Sequence, residues 1–96
     1  MTDSSIKQLA AAMAAIDDKK EAEAFLRDLT TPSELRALAE RWHVANLLAE
    51  GALTYRQIHD ATGVSTTTIT RVARFLNSPE NKGYRAMIEK LSPQKA

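Results

Sequence analysis

The chain has 96 residues, with 13 Lys and Arg against 12 Asp and Glu, and a formal net charge of +1. A chain of this length corresponds to one domain, so we expect residues 1–96 to form a single one. The absence of cysteine excludes disulfides and thiolate sites, and no run of about 18 apolar residues could span a membrane. The first residues lack a signal-peptide pattern, so we expect a cytoplasmic protein with no membrane partner.

The first half of the chain predicts three helices. Residues 5–16 are rich in alanine and carry their larger apolar residues on one side. Asp17 or Asp18 then caps a second helix. Residues 31–34, Thr-Pro-Ser-Glu, are typical of a helix start, with a capping Thr, Pro at the first position and Glu three residues after the cap. The third helix should end at Gly51.

These helices offer more apolar surface than a small monomer can bury. A domain of this size buries only about 60–65% of the surface of its unfolded chain. An ordinary six-helix monomer is one possibility. A homodimer in which residues 5–50 and 80–91 interlock is the other, and we expect it, with Trp42 in the dimer core. Such a homodimer presents two copies of each surface about a two-fold axis.

Residues 54–77 have the pattern of a helix-turn-helix, whose second helix enters the DNA major groove. Thr54 and Gln57 have capping-box spacing, Gly63 permits a sharp turn, and Ser65 is a good N-cap. One face of the second helix is apolar, with Ile69, Val72, Ala73 and Leu76 at helical spacing. The alternative is a plain helical hairpin with a solvated face. Three consecutive threonines are poor helix formers, however, so helix propensity does not explain them.

The opposite face of the second helix carries hydroxyls and arginines, which suit base edges and phosphates. We expect the threonines to approach bases, and the basic residues of the first helix, with Arg74, to hold phosphates. The predicted DNA-binding residues are Arg56, His59, Ser65, Thr66, Thr67, Thr70, Arg71 and Arg74. Residues 54–96 hold seven Lys and Arg against three Asp and Glu, whereas residues 1–53 hold six against nine. The positive charge therefore lies on the half that carries the motif.

The last part of the chain predicts one more helix. Residues 78–80, Ser-Pro-Glu, are expected to open it, and Tyr84, Met87, Ile88 and Leu91 supply its apolar positions. His43 and His59 are the only histidines, so we expect no metal site. No glycine-rich phosphate loop, nucleophile elbow or acid–base carboxylate pair stands out, so we expect no cofactor and no enzymatic activity.

Four segments between Leu29 and Leu91 resemble a known family. They are Leu29-Thr30-Thr31-Pro32-Ser33-Glu34, Ala37-Leu38-Ala39-Glu40-Arg41, Leu47-Leu48 before Gly51, and Thr68-Ile69-Thr70-Arg71. A long basic residue, His59, also stands where most helix-turn-helix motifs have a small one. These features are similar to the tryptophan repressor family, and most of all to its small YerC/YecD-type branch. The resemblance implies an all-α, six-helix fold and an intertwined homodimer.

In that family an indole corepressor binds between the third helix and the recognition helix. The resemblance implies a possible effector pocket flanked by Arg41, Thr68, Arg71, Val72 and Phe75. Val72 and Phe75 replace a glycine and a serine of the family, so their side chains should fill the pocket. We therefore expect no response to free tryptophan. A different effector remains open, because Arg41 and Arg71 could still bind an anion.

Together these features predict a sequence-specific transcriptional regulator, and more specifically a repressor, that binds double-stranded DNA as a homodimer. Two alternatives remain open. One is the helix-turn-helix of a mobile-element protein, although 96 residues leave no room for the acidic metal site of such an enzyme. The other is a protein-interaction module that retains the fold without binding DNA.

Overall fold

Residues 3–92 are described by a computed structural model and form six α-helices, with no strand in that range. The helices are α1 (Asp3–Ala14), α2 (Lys19–Leu29), α3 (Pro32–Glu50), α4 (Tyr55–Thr62), α5 (Thr66–Asn77) and α6 (Gly83–Leu91). The predicted all-α, six-helix fold is confirmed. The predicted domain limits at residues 1 and 96 lie outside the described residues. None of the helices within residues 3–92 is long and apolar enough to cross a membrane.

Side-chain caps fix the helix boundaries in the first half of the chain. Asp18 caps α2, because its carboxylate accepts the backbone N–H of Glu21 at 2.8 Å. Thr31 and Glu34 form a reciprocal pair at the start of α3. Thr31 Oγ1 accepts the Glu34 N–H at 3.1 Å, and the Glu34 carboxylate accepts the Thr31 N–H at 2.8 Å. Gly51 follows α3 with a φ of 72°, in the left-handed region. The predicted caps of α2 and α3 are confirmed.

The chain divides into two units, with the boundary after Leu35. The first unit, described from residue 3, contains α1, α2 and the first turn of α3, and none of its described residues is buried. The apolar stripe of α1 lies on one face but faces solvent, with Ile6 54% exposed and Met13 47% exposed. α1 also lies two residues earlier than the predicted range of 5–16. The first unit thus has no apolar core of its own.

The second unit, residues 36–92, has a continuous apolar core. The core cluster contains Val44, Ala45, Ile58, Val64, Ile69 and Val72, with Ala73 and Leu76 also buried. All of the predicted apolar positions of α5 are therefore buried, as expected. Trp42 is half-buried at the edge of this core. It stacks on Tyr84 of α6, with ring centroids 6.5 Å apart and planes inclined by 22°.

The start of α6 differs from the prediction. Residues 78–80 close α5 rather than opening the next helix, because Ser78 is the C-cap of α5 and donates its N–H to the Phe75 carbonyl at 3.4 Å. Ser78 Oγ then accepts the Glu80 N–H at 3.3 Å, and the Ser78 carbonyl accepts the Asn81 N–H at 3.2 Å. These bonds form a turn, so α6 begins only at Gly83.

Candidate nucleic-acid interface

α4 is a short helix that is capped at both ends. Thr54 Oγ1 accepts the Gln57 N–H at 3.1 Å, and the Gln57 side-chain oxygen accepts the Thr54 N–H at 2.8 Å. At the other end Gly63 has a φ of 76° and donates its N–H to the His59 carbonyl at 2.8 Å. The predicted capping box and the glycine turn are both confirmed. An isolated helix of this length would be unstable, so the caps and the burial of Ile58 hold α4 in place.

The turn between α4 and α5 is joined to α4 by side chains. Thr62 Oγ1 donates to the Ile58 carbonyl at 2.7 Å and accepts the Val64 N–H at 3.1 Å. His59 Nδ1 donates to the Val64 carbonyl at 2.7 Å. Both polar backbone groups of Val64 are therefore bonded, while its side chain fills the core between the helices. This bond also fixes the proton of a neutral His59 ring on Nδ1, so Nε2 is the nitrogen left for an outside partner.

The role of His59 in the turn was not predicted from the sequence. The sequence indicated only a basic residue near phosphates. The available signal was a histidine followed by Gly63 and Val64. The identity of the carbonyl that the ring contacts depends on the path of the backbone through the turn. His59 is exposed, so its outer edge can still contact a ligand.

Ser65 starts α5. Its Oγ accepts the Thr68 N–H at 3.2 Å and donates to Thr68 Oγ1 at 3.1 Å. The predicted N-cap is confirmed. These two residues direct their hydroxyls toward each other at the helix start. The hydroxyls of Thr66, Thr67 and Thr70 have no such bond to the described residues, and all three residues are exposed.

The exposed face of α5 forms an open groove of about 560 Å³. It is lined by Thr66, Thr67, Thr70, Arg71, Arg74 and Phe75. The structure thus brings together the threonines and arginines of α5 that were predicted to bind DNA. We call this surface the threonine groove. Arg56 and His59 are exposed on α4 and do not line it.

The charge of this surface is not neutralised within the part of the chain that the structure describes. There, the arginines of α4 and α5 form no ion pair, and the ion pair that is present joins Arg27 to Glu23 in α2. α5 contains no acidic residue, and Asp60 is the one acidic residue of α4. An unpaired positive surface of this kind attracts phosphates.

The predicted effector-pocket residues differ in their burial and in their contacts. Val72 is fully buried in the core, and Thr68 is held in the cap of α5. Phe75 is half-buried, and the guanidinium of Arg71 lies over its ring at 4.8 Å from the centroid. Arg71 and Phe75 also line a second groove of about 630 Å³, together with Trp42, Glu80, Asn81, Lys82, Gly83, Tyr84 and Met87. Arg41 is half-buried and does not line this second groove.

Within residues 3–92 no cluster of three or more His, Asp or Glu residues is arranged to hold a metal ion. The arrangement of α4 and α5 instead presents hydrogen-bonding groups and positive charge on one side of a rigid helix pair. Such a surface can bind a polyanion whose edges carry hydrogen-bond donors and acceptors.

Comparison with known proteins identifies the family. The profile of the family described as Trp repressor protein matches residues 4–92. The protein YerC of Bacillus subtilis is 38% identical over 86 residues, which cover 90% of this chain and 81% of YerC. A Trp operon repressor homolog of Vibrio cholerae is 37% identical over 71 residues, covering 74% of this chain and 69% of that protein. The crystal structure of a TrpR-like protein from Eubacterium eligens matches with a TM-score of 0.85 at 37% identity, covering 99% of this chain and 96% of that one. The chain therefore belongs to the Trp repressor family of DNA-binding transcription regulators.

Proposed function

We propose that this protein is a transcriptional repressor that binds a palindromic DNA site as a homodimer and does not use free tryptophan as a corepressor. One observation carries the DNA-binding part. The face of α5 opposite its buried side gathers threonine hydroxyls and two arginines into a single open groove. The family is regulatory rather than enzymatic, in agreement with this function.

The buried side of α5 fixes the direction in which the threonine groove faces. Ile69 and Val72 are fully buried, so the helix cannot rotate about its axis without exposing them. Thr66, Thr70 and Arg74 follow each other at four-residue spacing, on successive turns of the opposite side. In the proposed complex this side enters the major groove.

The residues of the motif divide into two roles. The threonines contact base edges through hydroxyls and methyl groups. Arg74 and Arg56 hold phosphates and set the register of the protein on the duplex. His59 also holds a phosphate, through Nε2 of the doubly protonated ring, because its Nδ1–H is already donated to the Val64 carbonyl. Ser65 caps the helix that carries these groups. In the proposed complex the first turn of α5 lies at the floor of the major groove.

The first unit supports the homodimer. Its described residues include none that is buried, and α1 carries an exposed stripe of Ile6, Leu9 and Met13. A helix of this length is not stable alone in water, so its apolar face needs a partner surface. We assign that surface to a second copy of the chain, because two copies of α5 related by a two-fold axis read a palindrome.

The neighbourhood of Arg71 supports independence from tryptophan. The resemblance to the family places an indole corepressor beside this arginine. Here the Phe75 ring lies against the guanidinium, and the Val72 side chain lies in the core next to it. An indole that took the face of the Arg71 guanidinium now covered by Phe75 would have to displace that ring.

The DNA-binding part is tested by selecting duplexes from a random-sequence library with the wild-type dimer. We expect a palindrome with half-sites about 10 base pairs, or a multiple of that, apart. Arg74→Ala should weaken binding to every sequence and flatten the logarithmic salt dependence by about 0.9 per half-site. Thr67→Ala should instead alter the preference at one or two positions. Lys7→Ala, which removes a charge from α1, is the matched control. Recovery of no consensus, with no effect of either groove substitution, would favour a protein-interaction module.

The tryptophan part is tested by calorimetry and by DNA affinity. We expect no heat of binding with excess tryptophan and no change in affinity for the selected duplex. Saturable binding that tightens the DNA complex would overturn this part. In a second test Phe75→Ser removes the ring that covers Arg71 while leaving Val72 in the core. Indole binding that appears only in this variant would identify the ring as the obstacle.

A further inference from the structure

Arg71 and Phe75 lie one helical turn apart at the edge of the threonine groove. The guanidinium carbon of Arg71 is 4.8 Å from the centroid of the Phe75 ring, within the range of a cation–π contact. We propose that Phe75 is a positioning residue for DNA binding, whose ring holds the Arg71 guanidinium at the groove before DNA arrives. This role rests on the DNA-binding function proposed above.

The ring is the contact that restrains the Arg71 side chain. Arg71 is exposed, and among residues 3–92 its guanidinium forms no ion pair or hydrogen bond. Phe75 is half-buried and therefore better anchored than the side chain that lies on it. A free arginine samples many rotamers, and ordering them on the DNA lowers affinity. A ring that orders the guanidinium beforehand removes part of that cost.

An aromatic ring suits this purpose better than a carboxylate. A guanidinium stacked on a ring keeps its five N–H donors free at its rim. Those donors can still bond a phosphate, or the O6 and N7 of guanine. A carboxylate would occupy the same donors and cancel the charge that attracts DNA. α5 contains no carboxylate, so the ring orders Arg71 without neutralising it.

Two variants separate positioning from simple packing. Phe75→Leu keeps an apolar side chain at the wall shared by the two grooves but removes the π face. Phe75→Tyr keeps the ring. If Phe75 only packed, both variants should leave Arg71 unchanged. If the ring positions Arg71, only the leucine variant should release it.

The first measurement uses the DNA-free protein. We expect the NMR order parameter of the Arg71 Nε–Hε bond to fall in Phe75→Leu and to be retained in Phe75→Tyr. The same bond of Arg74 is the internal control and should not change. An Arg71 order parameter that is equally low in the wild type and in both variants would overturn the proposal, whatever the protein binds.

The second measurement is a double-mutant cycle on affinity for the duplex selected by the wild-type protein. Phe75→Leu should weaken binding about two- to fivefold, the size of an exposed cation–π contact. Arg71→Gln should weaken binding more than Phe75→Leu does. Adding Phe75→Leu to Arg71→Gln should then change the affinity little, because the two residues act through one guanidinium. Thermal unfolding of each variant shows whether the fold is intact.

The outcomes distinguish this proposal from the proposed function. If Arg74→Ala weakens DNA binding but Phe75→Leu does not, or if the effects of Phe75→Leu and Arg71→Gln are additive, the positioning role is wrong and the DNA-binding function stands. If neither Arg74→Ala nor Arg71→Gln affects binding, the function itself is wrong. The order parameters then still report whether the ring holds Arg71.

Discussion

Residues 3–35 and residues 36–92 are both helical, but they differ in what stabilises them. Among residues 3–35 none is buried, and the larger apolar side chains of α1 face solvent. Residues 36–92 enclose a core to which α3, α4 and α5 all contribute. The apolar side chains of the first unit are buried only if a surface outside the unit covers them. The second unit buries its own apolar side chains.

This difference shows that two helices with apolar residues at helical spacing can differ in what covers them. The apolar face of α5 is also more sharply segregated from its polar face than that of α1. α5 packs against α4 and α6 within its own unit, whereas none of the described residues of α1 is buried. The substitutions below test whether stability and assembly follow this division.

The largest expected effect is on the core of the second unit. Ile69→Ala should lower the free energy of unfolding by about 2–5 kcal/mol, because it leaves a cavity beside fully buried neighbours. Thr70→Ala is the matched control on the adjacent, exposed position, and should change stability by less than about 0.5 kcal/mol. Chemical denaturation followed by circular dichroism measures both. Equal losses at the two positions would contradict the assigned burial.

The next effect is on the first unit. Leu9→Asp should raise the dissociation constant of the homodimer by about tenfold or more, because it places an unpaired carboxylate in a dry interface. Gln8→Asp adds the same charge one residue away, on another side of α1. Sedimentation velocity over a dilution series measures the constants. A monomer in the wild type, or equal weakening by both substitutions, would show that the α1 stripe does not form the dimer.

The smallest effect is on backbone conformation. Gly63→Ala should destabilise the protein by about 1–2 kcal/mol, because a residue with a Cβ is disfavoured at the Gly63 φ of 76°. Steric contact adds nothing, since a Cβ at Gly63 would meet no atom within 4 Å beyond its chain neighbours. Gly83→Ala also meets open space, but its φ is not in the left-handed region. It should be neutral, or stabilising by about 0.5 kcal/mol. Thermal unfolding compares the two, and a neutral Gly63→Ala would show that the turn accepts another conformation.

Local chemistry made much of this fold predictable from the sequence. A cap involves residues three apart in the chain, so the pairs Thr31–Glu34 and Thr54–Gln57 could be identified without knowing the fold. The buried face of α5 followed from its spacing for the same reason. The predicted threonine and arginine positions of α5 also lie together in one groove.

Other features depend on how distant parts of the chain meet. The bond from His59 to the Val64 carbonyl requires the particular path of the turn. The stack of Trp42 on Tyr84 joins α3 to α6, which are far apart in sequence. The start of α6 was predicted too early because Ser-Pro-Glu is as typical of a turn after a helix as of a helix start. The burial of Val72, by contrast, followed from its spacing in α5 and is confirmed.

The bonding of Val64 has a consequence for motion. Its amide donates to a side chain of α4 rather than to a neighbouring backbone carbonyl. Its side chain is also buried and its carbonyl accepts from His59, so exposing the amide to solvent means detaching the turn from α4. The amide should therefore exchange as slowly as those of the adjacent helices despite lying in a turn. A turn that opens only together with its helices is no hinge. α4 and α5 should then meet DNA as one body, and any adjustment to a different half-site spacing has to come from residues outside them.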